Sequence, residues 1–304
     1  MKKYFVLCTI ILVGFISTAC GNNQQDENTI VLLNGQFSEI TILMQMAGLL
    51  IEEHTGLNVS FHDSMATVPA ANALQAGSID LYIGYDGTLL TTLLGYDPTD
   101  VPLGEYLFEW ARQRGAEVRG ITLLEKFGFE NTFALAIQQD FAREHNIVTI
   151  SDLVPFAPNL IFGAEHEFFD VEGTMRFGPF NAHYGFEWLS YSSMELALKY
   201  AAMDAGHIDV TMVYSTDGLN QVFNLFILED DLAFFPEYYA AFQFRTTLFE
   251  EFEDSAPNLF EVLSMLNGMI DNETMISMNY AVDALGRNER EVAREFLLSV
   301  GLIS

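Results

Sequence analysis

Ala76-Gly77-Ser78-Ile79-Asp80, followed by Tyr85-Asp86-Gly87, returns later in the chain as Ala205-Gly206-His207-Ile208-Asp209, followed by Tyr214 and then Asp217-Gly218. In each copy a helical stretch, Pro69 to Gln75 or Ser193 to Asp204, runs into a glycine, a strand follows, and a tyrosine stands five residues beyond the aspartate. Gly77 and Gly206 lie 129 residues apart. That period is far too long for a solenoid and implies two similar lobes. Outward from the first copy, Thr29 to Leu33 reads as a strand, Ser38 to about His54 as a helix stopped by Gly56, and Val59 to His62 as another strand. Such alternation predicts α/β architecture. In open α/β sheets ligands bind beyond the carboxyl ends of the strands, which makes Tyr85 and Tyr214, one per lobe, candidate ligand contacts. The helix-glycine-strand joint alone is a generic structural device. Its recurrence together with a tyrosine and an Asp-Gly turn is what points to a site.

Half of the 304 residues are apolar and only 18% are charged, enough packing material for a sizeable core. The 13 Lys and Arg face 42 Asp and Glu, a formal net charge of −29. A field of that sign repels phosphate backbones and anionic lipid, so nucleic acid is not an expected partner. It favours cationic ligands, or it serves solubility in a saline or alkaline habitat. Met1-Lys2-Lys3, the apolar run Tyr4 to Ile16 and the small residues Ser17-Thr18-Ala19 read as a secretory signal over residues 1–19. The small residues directly before Cys20 resemble a bacterial lipobox, with Ser17 where leucine is usual. Cys20 is therefore the expected lipid anchor and 20–28 a polar tether. The other cysteine, Cys8, falls inside the signal, so no internal disulfide is expected. Beyond the signal no apolar run reaches the ~18 residues of a membrane span, which predicts an extracytoplasmic domain attached to the membrane through its lipid anchor only.

Enzyme signatures are missing: there is no GxSxG, GxGxxG, GxxxxGK or CxxC. His166-Glu167-Phe168-Phe169-Asp170 starts like a zinc-protease helix but lacks the second histidine. The reading is of a protein that is not an enzyme and takes no cofactor and no metal. Thr246 to Ser304 reads as mostly helical, with turns at Ser255-Ala256-Pro257, Asp271-Asn272 and Gly286-Arg287, and is expected to clad a lobe.

Several blocks resemble the substrate-binding proteins of osmoprotectant ABC importers for glycine betaine, choline, carnitine and related quaternary amines. They are Asn34 to Glu39, Gly77 to Tyr82 with Tyr85 to Thr88, Gly128 to Ala136, Ile150 to Leu153, Ala157 to Leu160 with Phe162 to Glu165, Tyr214 to Gly218, and Leu228 to Asp231 with Phe234 to Ala241. The resemblance implies a two-lobed α/β fold of the type II periplasmic-binding-protein kind, with two crossover segments and the ligand cleft between the lobes. It divides the chain into a first lobe of 29–130 plus 237–304 and a second of 131–236. It implies an ABC permease as partner and a cage of Tyr85, Phe133, Tyr214 and Tyr238 around a methylated ammonium, with Asp86, Thr88 and Asn131 beside it. Tyr239 competes with Tyr238, since neighbours in an extended segment face opposite ways. A quaternary ammonium offers no N–H, so recognition rests on cation–π contact and apolar packing, about 0.5–2 kcal/mol per ring. As cleft-wall rings, Tyr85 and Tyr214 are expected to be dispensable for stability.

Where relatives carry Lys or Gln and an Arg to hold a ligand carboxylate, this chain has Gly35 and Val171. Arg176 or Gln36 could take over that role. Otherwise a cation such as choline is favoured over a zwitterion such as glycine betaine, with Asp86 contributing. A ligand sensor or interaction protein on the same bilobed fold is the alternative function.

Overall fold

The computed structural model describes residues 28–169 and 175–304. The signal, Cys20, nearly all of the tether and Val171 lie outside the described residues. Among the described residues, ten strands form two five-stranded sheets of matching order. The first contains β1 (Thr29–Leu33), β2 (Asn58–His62), β3 (Leu81–Tyr85), β4 (Ile121–Leu123) and β10 (Ala240–Arg245), ordered β2-β1-β3-β10-β4. The second contains β5 (Phe133–Gln138), β6 (Ile161–Glu165), β7 (Ser190–Met194), β8 (Val210–Tyr214) and β9 (Leu225–Ile227), ordered β7-β6-β8-β5-β9. In each sheet four strands run in one direction, and the strand paired to the tyrosine-bearing one, β10 or β5, runs against them. Ala240 stands opposite Tyr85 and Phe133 opposite Tyr214.

The repeated motif explains this symmetry atom by atom. The helices Thr67–Gln75 and Leu196–Asp204 both end at Gly77 and Gly206 with φ of +69° and +67°, a left-handed turn that glycine adopts without strain. Ile79 and Ile208 are buried. The aspartate then splices the new strand to its neighbour. Asp80 N–H donates to the Val31 carbonyl at 2.7 Å while its Oδ2 accepts the Val31 N–H at 2.7 Å. Asp209 does the same with Ile161, at 2.8 and 2.8 Å. Each strand then lies buried beside its partner and delivers its tyrosine to the carboxyl edge.

One sequence expectation fails here. Ser193 does not begin a helix; Ser190–Met194 is edge strand β7, in parallel register with β6, and the helix starts at Leu196. A run of serines carries no apolar alternation, and backbone pairing to β6 overrides its weak propensity.

The lobes differ in filling. The first core is mostly aliphatic, with Leu32, Ile42, Leu43, Met46, Leu50 and Leu81 among its members and rings such as Phe127 and Phe242 between them. The second is proportionally richer in rings, with Phe162, Phe168, Phe180, Phe186 and Phe235 interlocked at centroid distances such as 5.4 Å for Phe180 and Phe186. Residues 124–132 and 228–239 cross between the sheets and pair side by side, with an antiparallel bridge from Glu130 to Tyr239 and a bond from Asn131 N–H to the Tyr238 carbonyl at 3.0 Å.

The C-terminal region is helical, as expected, with turns at the anticipated places. It is more than cladding. The helix Asn272–Asp283 packs beside Leu219–Val222 of the other lobe, and Asn279 donates to the Thr216 carbonyl at 2.8 Å.

Candidate functional site

A cavity of about 500 Å³ opens between the carboxyl edges of the two sheets. Tyr85, the last residue of β3, and Tyr238, on the second crossover, stack with centroids 5.6 Å apart and planes at 26°. The Tyr238 hydroxyl bonds Thr88. Tyr214, the last residue of β8, supplies the facing wall from the other lobe and is 36% exposed. Phe133, its cross-strand partner, stacks behind it at 5.2 Å and 27°. The Lys199 ammonium, buried and paired with Glu165, sits 5.6 Å from the Tyr214 centroid. Desolvation pulls its pKa down, against the stabilising charge of Glu165.

Beneath the tyrosines lies a carboxylate that sequence reasoning did not single out. Glu39, in the first turn of the helix Ser38–His54, is 1% exposed. Its Oε1 accepts the Tyr85 hydroxyl at 2.5 Å and Asn131 Nδ2 at 3.1 Å, and its Oε2 accepts Asn279 Nδ2 at 3.1 Å. Burial pushes its pKa up, against the pull of these donors. The Tyr85 phenol is pushed well above its ordinary value by burial and by the adjacent Glu39. Nearer the mouth, Asp283 accepts the Ser38 hydroxyl, and Asp217 accepts the Tyr200 hydroxyl and, at 2.9 Å, the Leu219 N–H. Glu39, Asp217 and Asp283 line the cavity, whose described lining contains no Lys, Arg or His.

Five of the residues expected at the site, Tyr85, Thr88, Asn131, Tyr214 and Tyr238, line this cavity. Phe133 and Asp86 do not. Asp86 is fully buried beside the crossover; its Oδ1 accepts the N–H groups of Gly87 at 2.7 Å and Tyr239 at 2.9 Å, and its own N–H donates to the Tyr239 carbonyl at 3.1 Å. It props the crossover, and the expectation that it stands beside the cation gives way to this role. Desolvation raises its pKa to about 7, against those backbone bonds, with Glu237 adding to the rise. Of the two competing tyrosines, Tyr238 lines the cavity and Tyr239 is not in the described lining, its ring 3.7 Å from the Lys126 ammonium.

Of the substitute carboxylate grips, Gln36 lines the cavity mouth. Arg176 is not in the described lining and donates to the Met175 carbonyl at 3.1 Å. At position 35 a Cβ would stand 2.5 Å from the Thr41 backbone nitrogen, so no side chain fits there without a shift. Among the described residues no cluster of three or more His, Cys, Asp or Glu is arranged to hold a metal.

Asn279 and Asp283 were invisible as site residues because the C-terminal helices read as cladding. Asp217 carried a signal, its place in the repeated Asp-Gly turn.

Residues 28–299 match the family model described as the substrate-binding domain of ABC-type glycine betaine transport systems. The chain is 29% identical over 304 residues to the carnitine transport binding protein OpuCC of Listeria monocytogenes, covering 97% of this chain and 96% of that one. It is 31% identical over 282 residues to the ergothioneine transport permease/ergothioneine binding protein EgtU of Helicobacter pylori, covering 92% of this chain but only 49% of that protein. A crystal structure titled as a glycine betaine/carnitine/choline ABC transporter superposes with a TM-score of 0.80 at 26% identity, over 90% of this chain and all of that one.

Proposed function

Since the chain belongs to the family of substrate-binding domains of ABC-type glycine betaine transport systems, we propose that it captures a choline-like quaternary ammonium against Tyr85, Tyr214 and Tyr238 and hands it to the permease of an importer. The family is one of extracytoplasmic transport-binding domains, which supports a binding role. The observation that carries the choice of ligand is the lining: tyrosine rings with three carboxylates and no basic side chain among the described residues. Rings and acids both favour a cation. A carboxylate drawn into this cleft loses water and meets like charge, which costs several kcal/mol without N–H or cationic partners, roughly by the measure of buried unpaired charges.

Calorimetric titration tests this at one pH and low salt. Choline should bind at least about tenfold more tightly than glycine betaine or carnitine, the ratio that ~1.4 kcal/mol produces. Glycine betaine, carnitine or ergothioneine binding as tightly as choline would overturn the cation preference. A betaine preference abolished by Arg176→Ala would assign the carboxylate grip to that residue.

The same proposal includes a lipid anchor at Cys20. No described helix is long and apolar enough to cross a membrane. Cys20→Ser should move the protein into the soluble fraction, because a hydroxyl cannot form the diacylglycerol thioether. Retention on membranes after a high-salt wash would refute the anchor.

A further inference from the structure

Glu39 does more than the cavity wall requires. Buried carboxylates are costly unless their oxygens are met by donors, and proteins keep them at sites where their charge is used. Both oxygens of Glu39 are met, and by groups from three separate parts of the chain: Tyr85 at the end of β3, Asn131 on the first crossover and Asn279 on a C-terminal helix. The amide Nδ2 groups of Asn131 and Asn279 can only donate, and the Asn279 amide is held in this orientation by its second bond, to the Thr216 carbonyl. This donor set matches an ionised carboxylate. A helix start needs no such arrangement, since an acid in the first turn serves it equally well from solvent.

The link to the ligand runs through Tyr85. Its hydroxyl donates to Glu39 while its ring forms the cavity wall stacked with Tyr238. A phenol that donates to a carboxylate takes on part of the negative charge, and the electron density over its ring rises with it. That density is what a quaternary ammonium reads. An ammonium on the wall would then meet an electron-rich ring and, behind it, the Glu39 carboxylate, which is shielded from solvent.

We propose that Glu39 is the counter-charge of the ligand's ammonium and acts through the Tyr85 hydroxyl, making it a positioning residue that sets the preference for a cation over a neutral molecule of the same shape. This deepens the quaternary-ammonium reading and rests on it.

The probe pair is choline and 3,3-dimethyl-1-butanol, which replaces the ammonium nitrogen with carbon and keeps the shape and the hydroxyl. Calorimetry on the wild-type protein should give choline at least about tenfold the affinity of its neutral isostere. In Glu39→Gln that ratio should fall at least about threefold while the isostere's affinity stays within about twofold; a role in packing alone would weaken both ligands together. Tyr85→Phe cuts only the hydroxyl link and should produce the same fall, which keeps the test decisive if Glu39→Gln does not fold. The double variant should lose no more than either single variant, because the two residues act in one line. A ratio unchanged in both single variants would overturn the proposal and leave the cation reading in place. Losses that add in the double variant would overturn the route through Tyr85. No preference for choline over the isostere in the wild-type protein would bring down the cation reading itself, and the counter-charge with it.

Discussion

The two copies of the helix-glycine-strand-tyrosine unit share their backbone bonds down to the aspartate splice, yet their tyrosines live in different surroundings. Tyr85 is 9% exposed, bonded to buried Glu39 and stacked on Tyr238. Tyr214 is 36% exposed and backed by Phe133. The splice itself is also reinforced unequally. In the first lobe Arg245, at the end of β10, reaches Asp80 at 2.7 Å, the Ile79 carbonyl at 3.1 Å and Glu251. The matching place on β5, five residues beyond the one facing the tyrosine, is Gln138. The first lobe is thus a charged, tied platform that also holds the buried Glu39 carboxylate. The second presents a more open ring. A fold can be duplicated while rigidity and recognition are distributed unevenly between the copies.

The largest test of that contrast is Arg245→Ala. It strands the buried Asp80 carboxylate, and breaking a buried pair from one side costs about 3–5 kcal/mol. Gln138→Ala should cost less than about 1 kcal/mol, as a neutral side chain half outside the core. Denaturant melts of the two variants compare them directly, and equal losses would dissolve the asymmetry.

Tyr85→Ala comes next. The sequence alone suggested that either cavity tyrosine could be removed without loss of stability, but Tyr85 belongs to the first core and holds a bond to Glu39. Its truncation should cost the unliganded protein about 3 kcal/mol, against less than about 0.5 kcal/mol for Tyr214→Ala. Similar melting temperatures for the two would contradict the burial difference.

A pH titration reads the crossover. The Asp86 pKa is about 7 in the folded protein against an ordinary 3.8, so the folded state keeps its proton longer than the unfolded chain does. Its stabilising share is complete below about pH 4 and is lost as pH rises through about 7, at roughly 1.4 kcal/mol per unit of difference and a few kcal/mol at most. Asp86→Asn retains an Oδ1 to accept the Gly87 and Tyr239 N–H groups. It should melt like the wild type at pH 4 and at a higher temperature at pH 8; a parallel pH profile in the two proteins would refute this.

The smallest effect is on affinity. Tyr214→Ala should weaken choline binding about tenfold, ~1.4 kcal/mol, with the fold unharmed. Unchanged calorimetric affinity would remove Tyr214 from the site.

The α/β repeat was legible because Ala-Gly-x-Ile-Asp is local chemistry: a left-handed glycine, a buried isoleucine and an aspartate that splices two strands, all within five residues. Tyr85, Tyr214 and Tyr238 were legible from that repeat and from the blocks around it. Glu39 was not. An acid following Ser38 reads as an ordinary first-turn helix residue, and the groups that make it unusual come from positions as distant as Asn279. Asn279 and Asp283 sit in an amphipathic helix with nothing in its pattern to mark an inward polar face. Asp86 misled for the opposite reason. Adjacent to Tyr85 in sequence, it follows the chain into the crossover while the ring goes to the cavity.

Gly218 bears on how the halves are spaced. A Cβ there would lie 2.5 Å from the Tyr280 backbone nitrogen, where the Asn272–Asp283 helix of the first lobe meets the second. The missing methyl acts as a gauge block. Packed interfaces yield little to added volume, so Gly218→Ala would serve as a shim one carbon thick between that helix and the second lobe. The angle between two rigid bodies, and with it the span across which Tyr85 and Tyr214 face each other, is trimmed by the absence of one side chain that never touches the ligand.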